Sequence, residues 1–351
     1  VAQTHVHRPK AAEAREPRWD NLRYVAGTMV ILIHLAESLG DRDGLHWLYL
    51  TTWAMRIPLF ALLAGYFSSA APLTGRRTRR LAVQLLVPCL ALQLLGAAQI
   101  WLMSGTERFW SSPVHGPAWT LWFLQALFLW RGALPWLARR RYPLATAVAV
   151  ALLAGYLPLD PLPFALSRAA GLLPFFVLGW KLRQGALGPG RRHAYSGGAA
   201  TAGLGATAMT AWLVRDHVGR DGLTFRKTYG ELDLPLDLPW AWTIRCVLLF
   251  GGMAVALSVI RLVPGHRLPF ITYLGSGGLY IYLLNPLLLR PLNAAEVFAR
   301  VDTFAEQAGL VCVAFAISAA CASPFVRRLT RPLIQPGRTT PSTAAPAPAP
   351  R

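Results

Sequence analysis

Ten apolar stretches divide the chain, at roughly 23–39, 47–70, 81–103, 119–137, 143–158, 164–182, 196–214, 240–261, 270–290 and 307–326. A bilayer core about 30 Å thick takes about 20 apolar residues of helix. The pattern therefore predicts an all-α, polytopic membrane protein with about ten transmembrane helices. The fifth stretch is short and ends at Pro158, Pro161 and Pro163, so it either spans or re-enters. Composition excludes the soluble classes. Only 15% of the 351 residues are charged, against about 25% in soluble domains, yet the net charge is +19 and the mean hydropathy +0.39. A basic nucleic-acid binder would not be this apolar, and a disordered chain would be poorer in apolar residues.

The charges also orient the chain. With the N-terminus in the cytoplasm, 23 of the 35 Lys and Arg residues fall on the cytoplasmic side, eight fall outside, and Arg56, Arg131, Arg168 and Arg245 lie within spans. The asymmetry matches the positive-inside rule with both termini cytoplasmic. The expected organisation is a cytoplasmic tail over 1–22, a ten-helix domain over 23–330 and a disordered cytoplasmic tail over 331–351, rich in Pro, Ala and Thr towards its end. No cleavable signal peptide and no second soluble domain is visible, and the expected location is the plasma membrane. Cys89, Cys246, Cys312 and Cys321 sit in apolar runs without CxxC spacing, which indicates neither a disulfide framework nor a metal site. Gly197, Gly198, Gly203 and Gly205 in the seventh stretch predict close helix packing. The mixed-charge loop at about 215–239 is the best candidate for an outward-facing substrate lip.

An ionisable group within a span is a functional hypothesis. Arg23 and His34 are 11 residues apart, which at 100° per residue puts both on one helix face, about 16 Å apart. If Arg23 marks the cytoplasmic edge, His34 lies near mid-bilayer. Glu37, at i+3, can reach it. Arg56 enters the second stretch to a similar depth, and Pro58 after it would free a backbone carbonyl to line a cavity. A His braced by Glu suits acid–base chemistry, and Arg56 could hold a developing oxyanion. The plainer alternative is a structural Glu37–Arg56 pair. Arg76, Arg77, Arg79 and Arg80 either only fix topology or also bind a polyanion such as the phosphates of coenzyme A; Arg139, Arg140 and Arg141 could serve likewise. Trp119 and Trp122 could anchor at the interface or stack on a sugar ring, with Gln125 one turn on. Tyr273, Tyr280, Tyr282 and Asn285 could line a polar cavity or bond to neighbouring helices.

Several of these residues sit in segments with a family likeness. RWDNLRYVAGTMVILIHLAE (18–37) resembles the opening of the integral-membrane acyltransferase-3 family, with Arg23 and His34 at the family's spacing. MRIPLFALLAGYFSS (55–69) is similar to its second-span element, with Ala64 where Ser is usual. RRTRRLAVQLLVPCL (76–90), PAWTLWFLQALFLWR (117–131) and YLGSGGLYIYLLNPLLL (273–289) resemble later elements, with Asn285 where the family has His. The combination is most similar to the fucose 4-O-acetylase-like branch and covers most of 18–290.

The resemblance implies a membrane O-acyltransferase that moves a short acyl group, usually acetyl, from cytoplasmic acyl-CoA to a hydroxyl of a sugar or glycoconjugate. Acetyl-CoA would be the co-substrate, with no metal, and the partners would be the acceptor and the bilayer rather than nucleic acid. His34 would act as general base, or carry the acyl group itself. Arg23 and the 76–80 cluster would hold the donor, and Arg56, with Asn21 or Gln125, the oxyanion. Asp20 would orient Arg23 or cap the helix. Trp119, Trp122 and Asn285 complete the expected acceptor site. The competing class is a multi-span transporter or flippase, which should show internal repeats; none is evident.

Overall fold

The computed structural model describes residues 16–37, 43–104, 121–160, 162–186, 196–232, 236–297, 301 and 303–336, and their regular structure is helical throughout. In chain order the helices are α1 (Pro17–Glu37), α2 (Asp43–Thr52), α3 (Ile57–Tyr66), α4 (Gly75–Ser104), α5 (Trp122–Leu137), α6 (Pro143–Leu153) and α7 (Leu166–Arg183). They continue with α8 (Gly197–Val214), α9 (Asp221–Thr224), α10 (Trp242–Leu262), α11 (Ile271–Gly275), α12 (Gly278–Ala294), α13 (Phe304–Ala322) and α14 (Pro324–Ile334). Each of the ten apolar stretches is helical over most of its length. Five helical segments are long and apolar enough to cross a membrane: Leu45–Tyr66, Gly75–Met103, Pro163–Arg183, Leu238–Leu262 and Ala305–Ala322. Large apolar side chains face outward on three of the bundle's outer helices, with Leu102 76%, Val247 71% and Leu213 67% exposed. Water would not tolerate so much apolar surface, and the chain is a multi-pass membrane protein.

The tenth stretch divides at Ser323, ahead of Pro324, and three others are broken or cut short where the sequence dictates. The second changes from α2 to α3 through a tight turn at Trp53–Met55, and Pro58 takes a first-turn position in α3, where its missing N–H does no harm. The ninth divides at Ser276 and Gly277 into α11 and α12. The fifth gives only the 11 residues of α6 and one further tight turn to Tyr156. At 1.5 Å per residue α6 is about 17 Å long, well short of the hydrocarbon thickness. At the chain ends, α1 starts at Pro17, ahead of the expected edge at 23, and α14 runs past the expected edge at 330 to Ile334. The remainder of both expected tails lies outside the described residues.

The closest helix pair is α3 with α7. A Cβ placed on Gly65 would lie 1.8 Å from the carbonyl oxygen of Phe176, and one on Gly179 would lie 1.9 Å from that of Leu62. Only glycine lets these backbones meet. The small-residue packing expected of the seventh stretch is not found at Gly197 or Gly205, where nothing stands within 4 Å of an added Cβ. The reason is position: α8 lies at the bundle's edge, with most of its residues partly or fully exposed.

α1 is central and buries Leu22, Ala26, Ile31 and Leu35 completely. Gly27 and Gly278 bring it against α12, where added Cβ atoms would meet Ile281 and Arg23. Thr28 donates to Ser318 Oγ of α13 at 3.0 Å. The N-terminal end of α1 meets the C-terminal end of α3: Trp19 packs on Tyr66 with centroids 4.0 Å apart, and the Arg23 guanidinium lies 4.5 Å from the Phe67 ring. Arg131 of α5 and Arg183 of α7 reach the same end, to Ser68 Oγ and Tyr66 O. At the opposite end, α1 finishes beside α2, the start of α3 and the 221–226 segment.

Candidate functional site

Two cavities occupy the two ends of this core. The first, about 250 Å³, is lined by Arg23, Arg131, Gln84 and mainly apolar residues of α3, α4 and α5, and is closed on one side by Ile334 at the end of α14. The second, about 310 Å³, is lined by His34, Glu37, Arg56, Arg168, Trp122 and Tyr282, among others. Between them stands a cluster of rings. Phe60 and Phe123 line the first cavity and Tyr282 the second. Tyr282 lies 5.3 Å from each of the other two, centroid to centroid.

The second cavity holds His34 and Glu37. His34 Nδ1 lies 2.8 Å from Glu37 Oε2, one turn along α1. This contact commits Nδ1 to Glu37. Both side chains are partly accessible, His34 at 23% and Glu37 at 39%, as groups lining an open cavity must be. Arg56 is buried, 6% exposed. Its Nη2 donates to Tyr49 O at 2.8 Å and its Nε to Thr52 O at 3.3 Å, and its guanidinium lies 4.2 Å from the Tyr49 ring. At the turn over Trp53–Met55 the Arg56 N–H bonds to Trp53 O instead of Thr52 O, and the Arg56 side chain donates to Thr52 O in its place. Arg56 and Arg220 both lie within electrostatic reach of Glu37.

The segment around α9 closes this cavity with Leu223 and Thr224, so the loop at about 215–239 does reach the site. Trp53 Nε1 donates to Leu223 O at 2.9 Å. Ser167 at the start of α7 donates to the carbonyls of Phe225 and Arg226, the latter at 2.9 Å. Arg226 pairs with Asp160 at 3.0 Å. Phe225 (φ 55°), Ala165 (φ 49°) and Phe164 (φ 66°) all occupy the left-handed region, a strain of about 1–2 kcal/mol for each non-glycine residue. Three such residues meet at the Ser167 contact, beside the cavity. On the same loop, burial pushes the Tyr229 hydroxyl up to about 12, so it remains a donor, to Leu152 O at 3.0 Å.

The other expected site residues are placed as follows. Arg23 lines the first cavity, with Asp20 accepting from its Nη1 at 2.7 Å. Asn21 is at that end too. It donates to Pro264 O and His266 O and accepts from Thr272 Oγ1, tying α1 to the segment before α11. It is 13 residues from His34, about 20 Å along α1, and the two do not come together. Arg77 wraps the preceding loop, donating to Ala71 O at 2.6 Å and Ser69 O at 2.9 Å, while Arg76, Arg79 and Arg80 are exposed. Trp122 lines the second cavity; Gln125 is buried in α5 and lines neither. Asn285 is fully buried and donates to Ile281 O and Tyr282 O of its own helix. Pro286 has no N–H for Tyr282 O, and the Asn285 amide replaces it. Trp119 lies outside the described residues.

Two lining residues were counted in the sequence only as in-span charges. Arg131 belongs to the first cavity and Arg168 to the second. The rule that selected Arg56, an expensive charge in an apolar run, applies equally to both. The fourth such residue, Arg245, is structural: it donates to Ala151 O and Lys227 O and lies over the Phe225 and Tyr229 rings.

A family model described as an acyltransferase domain matches residues 16–323. The matched region contains both cavities' helices from α1 to α13. No curated protein and no solved structure matches the chain significantly.

Proposed function

The chain belongs to the acyltransferase 3 family, and on that premise we propose that it transfers an acetyl or other short acyl group from cytoplasmic acyl-CoA to a hydroxyl of a sugar or glycoconjugate. The observation that carries the reading is the His34–Glu37 pair, 2.8 Å apart and facing a cavity with two arginines. Family membership already favours an acyltransferase over a transporter. The proposed topology is ten spans with both termini cytoplasmic, in the plasma membrane, and the branch is the fucose 4-O-acetylase-like one.

The donor fits the first cavity. Arg23 and Arg131 offer guanidinium groups to its phosphates, and the apolar wall suits the uncharged pantetheine arm. The exposed Arg76, Arg79 and Arg80 add positive potential nearby. The acceptor fits the second cavity, with Trp122 as a face for a sugar ring. Glu37 fixes the proton of His34 on Nδ1, so Nε2 takes the proton from the acceptor hydroxyl as its oxygen attacks the acyl carbonyl. The C–S bond then breaks, the coenzyme leaves as thiolate, and His34 returns the proton. Arg56, fixed by two backbone carbonyls, faces the cavity with a preset orientation, as a stabiliser of negative charge requires.

The experiment uses membranes containing the protein and labelled acetyl-CoA, scoring both CoA release and label on glycan. Wild type is expected to give both and His34→Ala neither. Normal transfer by His34→Ala would overturn the assignment of the base, and uptake of solute without CoA release would overturn the enzyme reading.

A further inference from the structure

The charges lining the second cavity do not balance. Among the described residues Glu37 is its one carboxylate, held by His34, while Arg56 and Arg168 both line it. Arg56 spends two of its five N–H donors on Tyr49 O and Thr52 O and is positioned by them. The nearby loop cations Arg226 and Lys227 are paired, with Asp160 and Asp221. Arg168 differs from all of these. Among the described residues it has no hydrogen bond and no ion pair; its guanidinium lies 4.8 Å from the Trp122 ring. A guanidinium held over an indole by its charge keeps its N–H fork for an anion.

The nearest anion within its electrostatic reach, Asp160, is paired with Arg226; a guanidinium held inside a membrane protein with no anion in contact is costly, and the cost is relieved when a ligand brings one. Resting on the acyltransferase reading, we propose that Arg168, supported by Trp122, forms an anion-recognition subsite of the acceptor site, and that the acceptor is an acidic sugar presenting a carboxylate. A planar carboxylate accepts two parallel N–H bonds from the fork, while the sugar ring has Trp122 beside it. A volume of about 310 Å³, at the low end for ligand sites, suits one such unit. His34 and Glu37, across the same cavity, are left to act on a hydroxyl of that unit.

The test measures binding without acyl donor, so it succeeds or fails independently of transfer. The full chain in detergent is titrated calorimetrically with glucuronate and with glucose, and with inorganic phosphate as a competing anion. Wild type is expected to bind glucuronate at least about tenfold more tightly than glucose, the margin of a charge-assisted hydrogen bond. Arg168→Gln is expected to abolish the difference and Arg168→Lys to retain part of it. Equal binding of the two sugars by wild type, or a preference that survives in Arg168→Gln, would overturn the proposal. Phosphate binding more tightly than glucuronate would overturn the carboxylate assignment. If Arg168→Gln does not fold, Arg168→Lys decides, because it keeps the charge without the fork: an undiminished preference there counts against bidentate recognition. Loss of acetyl transfer with the preference intact would strike the enzyme reading alone.

Discussion

Replacing Glu37 by glutamine isolates the work of the His34 brace. The substitution keeps the side chain's size and removes its charge 2.8 Å from Nδ1. A hydrogen bond involving a charged group contributes about 1.5–3 kcal/mol. At 1.36 kcal/mol per factor of ten, its loss from the transition state lowers kcat about 10- to 150-fold. His34→Ala should lose more, about 10²- to 10⁴-fold, the range for a general base. The KM for acyl-CoA should not change in either variant, because Arg23 stands 11 residues away on α1, about 16 Å, and faces the other cavity. Detergent-solubilised protein with acetyl-CoA, followed by thiol release and labelled acceptor, reads both constants. The double variant should be no slower than His34→Ala alone, since residues that act as a unit are not additive. Full activity in Glu37→Gln would refute the brace. An undiminished Glu37 effect in the His34→Ala background would show that the carboxylate acts elsewhere.

Three further outcomes are expected. Gly65→Ala or Gly179→Ala should destabilise the protein by at least about 3 kcal/mol, the upper range for overpacking, while Gly205→Ala, in open space within a helix, should gain about 0.5–1 kcal/mol; melting curves in detergent that do not separate the two sites would contradict the α3–α7 contact. Arg23→Gln and Arg131→Gln should raise the KM for acyl-CoA with acceptor KM unchanged, whereas Arg77→Ala should loosen the 69–72 loop without a specific donor effect; equal KM shifts for both substrates would count against a donor cavity. Arg56→Gln should lower stability as well as rate, because Tyr49 O and Thr52 O lose their donor at about 1–3 kcal/mol each, and a stable, slow variant would mean that Arg56 serves chemistry alone.

The sequence made the helices legible because an apolar run in a bilayer has few alternatives to helix. It also placed Arg23, His34 and Glu37 relative to one another, since all three lie on one helix with a fixed rise and turn. What it could not supply was anything that depends on how different helices meet. Asn21 and His34 are close in sequence argument but about 20 Å apart along α1. Asn285 reads as a cavity residue until Pro286 is considered; the amide then has a local duty. Arg56 reads as an oxyanion holder or a partner of Glu37, yet two of its donors go to the carbonyls of Tyr49 and Thr52. Arg168 was visible as a charge in an apolar run but had no partner in sequence to assign it to a site. The glycine contacts show the same limit. The glycine-rich α8 packs loosely, while single glycines on α3 and α7 carry the closest approach, and density of glycine does not report which face looks inward.

The ring cluster between the cavities has an electrical consequence. If both cavities hold water, the membrane voltage falls mainly across Phe60, Phe123 and Tyr282 rather than across the whole bilayer. A unit charge crossing 100 mV there does about 2.3 kcal/mol of work, but an acyl group is neutral and crosses without any. The reaction is then indifferent to voltage, except through its proton. A proton taken from the acceptor on one side and released with the thiol on the other would carry charge across the rings. The location of that single proton transfer decides whether the enzyme's rate follows the membrane potential.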